Sequence, residues 1–248
     1  MNEKELPFDI MSRLIYRDAL MLVIDKPAGM PVHPGPRSGT AKSNETLSDH
    51  LDALRFGLPR RPELAHRLDR DTSGCLVLGR HRKALDKLGR LFRSGKVEKT
   101  YWAVVEGGPA DEAGEIDLPL APRDPSRGWW MKVDPAGQPA LTRWRVLGRG
   151  EGLAWLALTP VTGRTHQLRV HCAAAGFPIR GDAIYGHAPR SGGPGLHLHA
   201  AALAIPLYPN RAAVRVAAPA PAHMHAALTA AGWRGTMPAD TTAETSKA

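Results

Sequence analysis

The acid at position 69 stands between two arginines, in the stretch His66-Arg67-Leu68-Asp69-Arg70-Asp71-Thr72-Ser73-Gly74. A carboxylate flanked by guanidinium groups is equipped to act as a nucleophile or a general base. Polar and turn-forming residues surround it, and the apolar run Cys75 to Leu78 follows at once. That pattern predicts a loop feeding a strand, with an acid presented at the strand's edge. Asp71 competes for the same role, because residues two apart on an extended segment face the same way and spacing does not choose between them. Taken alone, an Asp-Arg-Asp triplet is more often a surface loop whose acids answer neighbouring arginines.

Three further blocks carry residues of chemical interest. Lys26-Pro27-Ala28-Gly29 is followed by Val32-His33-Pro34, and Lys99-Thr100-Tyr101 opens an apolar run. Gly163-Arg164-Thr165-His166-Gln167-Leu168-Arg169-Val170-His171 continues through Gly176, Pro178-Ile179 and Gly181-Asp182. In this order the blocks resemble the motifs of the RluA-type RNA pseudouridine synthases, and residues 66–74 match every fixed position of that family's His-Arg-Leu-Asp-x-x-Thr-Ser-Gly. The resemblance covers roughly residues 12 to 205. It implies an α+β fold, the pseudouridine synthase catalytic fold, with a central, mainly antiparallel mixed sheet flanked by helices and a cleft across the middle. It also implies an isomerase that converts specific uridines in structured RNA, ribosomal or transfer RNA, without a cofactor or a metal.

The reaction breaks the bond between C1′ of ribose and N1 of uracil and rejoins the sugar to C5. It needs a carboxylate at the base or sugar, a pocket for the detached uracil and a route for the C5 proton. By resemblance Asp69 is the catalyst and Asp71 occupies a variable position. Arg169 matches the arginine that faces the aspartate, a task suited to a planar fork able to hold both carboxylate oxygens. Arg164 is its nearby rival, better placed with Thr165 at a loop-to-helix entry for a phosphate or structural contact. Tyr101 matches the tyrosine that packs against the target base, offering a stacking face and a polar tip. A uracil in a stem must be flipped out, and Arg67 is the candidate to fill the gap, since a guanidinium stacks on bases. His66 and Lys26 complete the expected RNA-binding set, with Lys26 and Pro27 cast more as supports than as chemists. Two rivals remain open: a non-catalytic RNA-binding protein on the same fold, and a uracil N-glycosidase.

These residues need elements to hold them. Leu20 to Ile24 predicts a short strand, and Lys26 to Gly39 an ordered loop rich in Pro and Gly. Leu47, Leu51 and Leu54 recur at helical spacing within a helix around residues 46–54. Residues 81–95 predict an amphipathic helix with Leu85, Leu88, Leu91 and Phe92 on one face, a basic exterior and Gly95 as the stop. Residues 97–105 predict a strand with Tyr101, Ala103 and Val105 on one face and Trp102 and Val104 on the other. Residues 106–114 and 121–140 read as long connections, with Trp129 and Trp130 either a stacking platform or a buried pair. Residues 141–147 and 153–158 predict a hairpin, and residues 165–175 a helix ended by Gly176 and Pro178.

Lys plus Arg exceed Asp plus Glu by nine, consistent with a polyanionic partner. Cys75 and Cys172 lie far apart and suggest neither disulfides nor a zinc site; both fit small buried residues. Among eleven histidines, the pairs His197/His199 and His223/His225 lack metal-site spacing and carboxylate partners. Residues 89–96 resemble a phosphate loop only loosely, with the wrong glycine spacing and Val97 where Ser or Thr is required. No apolar run approaches the roughly 20 residues a bilayer needs, so a soluble cytoplasmic protein is expected, and a monomer is the expected state. Residues 1–11 and 211–248 are expected as extensions of a catalytic domain at 12–210, with no S4-type module ahead of it and a disordered tail at 238–248.

Overall fold

In the computed structural model, which describes residues 8–33, 45–124 and 130–238, sixteen regular elements follow one another. They are β1 (Leu14–Arg17), β2 (Met21–Lys26), α1 (Leu47–His50), β3 (Glu63–Leu64), β4 (Ser73–Gly79), α2 (Arg82–Arg93), β5 (Glu98–Glu106) and β6 (Ala113–Asp117). Then come β7 (Leu120–Pro122), β8 (Met131–Val133), β9 (Leu141–Gly150), β10 (Leu153–Pro160), α3 (Gln167–Ala174), β11 (Leu198–Ile205), β12 (Val214–Ala217) and α4 (Ala222–Ala230). Ten strands form one sheet in the order β1-β2-β4-β11-β5-β10-β9-β6, with β12 on β11 and β3 on β4. Among the described residues, only β4 and β11 pair in parallel. The α+β class and the mainly antiparallel mixed sheet agree with expectation.

β4 and β11 lie at the centre because both are unbroken runs of buried residues. Alternation then divides the core. Leu76 and Leu78 of β4 join Leu22 and Ile24 of β2 under α1, whereas Cys75 and Val77 join Met21, Val23 and Leu88 of α2. On β5, Ala103 and Val105 pack with Leu168 and Cys172 of α3, while Trp102 and Val104 meet Met224 and Leu228 of α4. Tyr101 touches the α1-side and the α3-side clusters, at the seam between them.

The strand and helix expectations hold with small shifts. The expected helix at 46–54 is α1 followed by a 3-10 turn at Leu51–Leu54, with Thr46 and Asp49 closing a capping box. In the β9–β10 hairpin, Glu151 and Gly152 both take positive φ, at 52° and 71°, as a two-residue primed turn requires. Three readings change. The 121–140 excursion contains β7 and β8, a separate two-stranded ribbon; Trp130 lies there with the Arg123 guanidinium 5.0 Å from its ring centre, and Trp129 falls outside the described residues. The chain after residue 210 is part of the fold, because β12 extends the sheet at β11 and α4 covers Trp102 and Trp155. The third helix starts at Gln167 rather than 165, because His166 adopts a left-handed conformation. No helix among the described residues is long and apolar enough to cross a membrane.

Candidate active site

Asp69 sits on a turn that is clamped from several sides. Buried Leu68 and Thr72 bracket it, and the Thr72 N–H donates to the Asp69 carbonyl at 3.2 Å. Lys26, fully buried at the end of β2, donates from Nζ to the carbonyls of Pro27 (2.7 Å), Met30 (2.9 Å) and Arg70 (2.8 Å). One ammonium therefore ties the Lys26-Pro27-Ala28-Gly29 turn to the loop bearing the acid. Burial pulls its pKa down to about 8, against the opposing pull of Asp71, Asp69 and Asp25. On the far side, Ser73 Oγ lies 2.9 Å from His199 Nδ1 of β11. Gly74 follows with φ +103°, and a Cβ there would run into the Ala200 carbonyl oxygen, so the parallel β4–β11 approach demands glycine.

A cleft of about 500 Å³ opens above this turn, a volume in the usual range for small-molecule sites. Arg67, Asp69, Tyr101, Arg164, Thr165 and Arg169 all line it, as do His66, Arg93, Lys99 and His166. The sequence-selected residues thus converge, apart from Lys26 beneath the floor. Among the described residues no hydrogen bond reaches the Asp69 carboxylate, and its sole ion-pair-range neighbour is His166 Nε2, 3.7 Å from Oδ2. Tyr101 lies half-buried on β5; burial, with help from the Asp69 charge, pushes its phenol far above the ordinary range.

Arg169 departs from expectation. Its Nε and Nη2 each donate to Asp182 at 2.7 Å, a buried bidentate pair in which both side chains are nearly inaccessible. Burial opposes the guanidinium's charge, but the bonds and charge of Asp182 outweigh it and raise its pKa. Asp182 also accepts the N–H groups of Ile184 (2.9 Å) and Tyr185 (3.0 Å), so the pair shapes the segment that carries Tyr185. The expected contact of Arg169 with the Asp69 carboxylate is not made here, where its Nε and Nη2 close on Asp182 instead.

Two residues expected at the RNA interface have partners within the fold. His66 stacks on Phe92 with ring centres 4.2 Å apart, and its Nε2 accepts the Val77 N–H at 3.0 Å. Burial, aided by the charge of Lys99, drives its pKa to about 3, so it stays a neutral acceptor. Lys26 is walled off by its three carbonyls. Arg67 is exposed at the cleft, and among the described residues its side chain makes no hydrogen bond or ion pair. Arg164 is exposed and donates from Nε to the Pro139 carbonyl at 3.1 Å. Thr165 lines the wall beside it.

Residues without an assigned role join the site: His166 and Asp182, both inside the quoted motif, Tyr185 three positions beyond, and Lys99 at the head of another. Lys99 is half-buried, two residues before Tyr101 on one strand face, and no partner answers it among the described residues. His197 and His199 are not poised for metal: His197 Nδ1 meets the Gly195 carbonyl at 2.7 Å, and His199 bridges Ser73 and the Ala218 carbonyl.

Residues 20–174 match the family model described as RNA pseudouridylate synthase. An uncharacterized RNA pseudouridine synthase of Zymomonas mobilis is 43% identical over 198 residues, covering 79% of this chain and 88% of that protein. Ribosomal large subunit pseudouridine synthase C of Vibrio cholerae is 35% identical over 227 residues, covering 87% and 68%. The solved structure of human RNA pseudouridylate synthase domain containing 4 superposes with a TM-score of 0.75 at 26% identity, covering 89% of this chain and 93% of that one. With the motifs, the sheet and the cleft in agreement, the chain belongs to the RNA pseudouridylate synthase family, of the RluA type, and is an isomerase acting on RNA.

Proposed function

We propose that the protein converts specific uridines of structured ribosomal or transfer RNA to pseudouridine, with Asp69 as the catalyst and no cofactor. The observation that carries this reading is the Asp69 carboxylate, exposed to the cleft and unbonded among the described residues, in a chain of this family. The name of the Vibrio cholerae relative favours ribosomal RNA. Asp69 suits attack at C1′, addition at C6 or abstraction leading to a glycal. On each route the C1′–N1 bond breaks, C5 bonds to C1′, the C5 proton departs and N1 takes up a proton, so atoms and electrons balance without redox help. Tyr101 meets the base as a neutral phenol, since its raised pKa keeps the proton on. Arg67, exposed at the cleft, occupies the stack the base leaves. Arg93, Lys99 and Arg164 supply positive charge along the walls for phosphates.

The test uses RNA from cells lacking the gene, tritiated at uracil C5. Tritium is expected in water while the base stays attached to the RNA, and Asp69→Asn slows release at least about hundred-fold. Free uracil would identify a glycosidase, and binding without release a non-catalytic protein. Normal release by Asp69→Asn would remove Asp69 from the mechanism.

A further inference from the structure

We infer that His166 positions the Asp69 carboxylate as a neutral hydrogen-bond donor, and that the Tyr185 hydroxyl selects the tautomer that makes it one. The inference rests on the reading of Asp69 as the catalyst. It concerns a residue that the expected reaction roles leave unused.

The backbone is the first sign. His166 is the N-cap of α3, yet it takes φ 52° and ψ 16°, a left-handed conformation uncommon for a residue with a Cβ, and its side chain gives the helix no cap. The conformation turns the ring away from capping and sets Nε2 3.7 Å from Asp69 Oδ2. Strain of this kind persists where surrounding contacts fix it, and it gathers at functional sites. Here the contact is Tyr185: His166 Nδ1 lies 2.8 Å from its hydroxyl oxygen.

The tautomer follows from counting protons. The Met131 N–H donates to the Tyr185 oxygen at 3.0 Å, which leaves the phenol's own proton to place. Among the described residues, His166 Nδ1 is the sole acceptor within hydrogen-bond distance of it. Nδ1 then accepts, and the ring's proton resides on Nε2, pointing at Asp69. Burial keeps the imidazole uncharged despite the nearby carboxylate, and burial likewise keeps the phenol protonated. Arg169, whose fork is committed to Asp182, stands with its guanidinium carbon 5.2 Å from the Tyr185 ring centre and holds that ring from behind. The separation of 3.7 Å exceeds hydrogen-bond length, as catalytic contacts often do before substrate closes them. A neutral donor directs the carboxylate without the basicity loss that a contact guanidinium would impose.

The experiment compares His166→Ala, His166→Gln, Tyr185→Phe and Asp69→Asn with the wild type on the C5-tritiated RNA, reading single-turnover rate, RNA affinity and melting temperature. His166→Ala should slow turnover roughly ten- to hundred-fold, the worth of one hydrogen bond to a charged group, with RNA affinity unchanged. Gln, whose amide nitrogen reaches the place of Nε2, should recover most of that rate, and Tyr185→Phe should fall between. Wild-type rate in His166→Ala overturns the inference while leaving Asp69 in place if Asp69→Asn is inactive. Equal losses in the Ala and Gln variants, tracking the melting temperature, overturn it in favour of a packing role. Normal release by Asp69→Asn overturns both readings together.

Discussion

Lys99 and Arg169 show two ways a cation can serve one cleft. Arg169 forms a bidentate pair with Asp182, and breaking one side of such a buried pair costs about 3–5 kcal/mol, so its first effect is on structure. Lys99 is half-buried with no anion beside it, and burial alone lowers its pKa. A cation kept in that state is served by an arriving phosphate. Lys99→Gln should therefore reduce the slope of log RNA affinity against log salt concentration by about 0.7 to 0.9, the value of one phosphate contact, and Lys99→Arg should restore it. An unchanged slope would mean that Lys99 does not touch the RNA backbone.

At the scale of elements, the turn that carries Asp69 is held by strand geometry more than by its own sequence. β2, β4 and β11 meet beneath it: Lys26 pairs with Gly74, Gly74 with Ala200, and the Lys26 ammonium crosses to the Arg70 carbonyl. Gly74→Ala would force a Cβ against the Ala200 carbonyl at φ +103°, where L residues are already strained. A loss of at least about 2 kcal/mol in unfolding free energy is expected, with RNA isomerisation falling as the loop shifts. Denaturant melts of the variant at wild-type stability would refute that account.

At the scale of the whole molecule, histidines buried in and around the sheet couple stability to pH. Burial lowers His66 to about 3 and His197 and His199 to about 4, from an ordinary value of 6.5. Between those values the unfolded chain binds more protons than the folded one, so stability rises with pH there and drains away as pH falls from about 6.5 toward 4. The denaturant midpoint should accordingly be lower at pH 5 than at pH 7. His199→Gln, if it folds, should flatten that dependence. A midpoint constant over this range would show that these rings charge without cost.

Much of the site was legible in the chain because its motifs are local. Spacing within residues 66–74 placed an acid on a turn before a buried strand, and alternation in 97–105 put Tyr101 on the face of Ala103 and Val105. Periodicity located α2 and the β9–β10 hairpin for the same reason: a helix or hairpin is decided by neighbours in sequence. Long-range partners were not legible. Whether Arg169 would face Asp69 or Asp182, whether His66 would meet RNA or Phe92, and which residue would touch Asp69 depended on the parallel β4–β11 contact and the return of the chain at 182–185. Residue type and local spacing specify which groups exist and which element bears them. Hydrogen bonds between distant segments depend on how those elements pack, so tertiary structure alone decided that His166 and Tyr185 stand beside the acid.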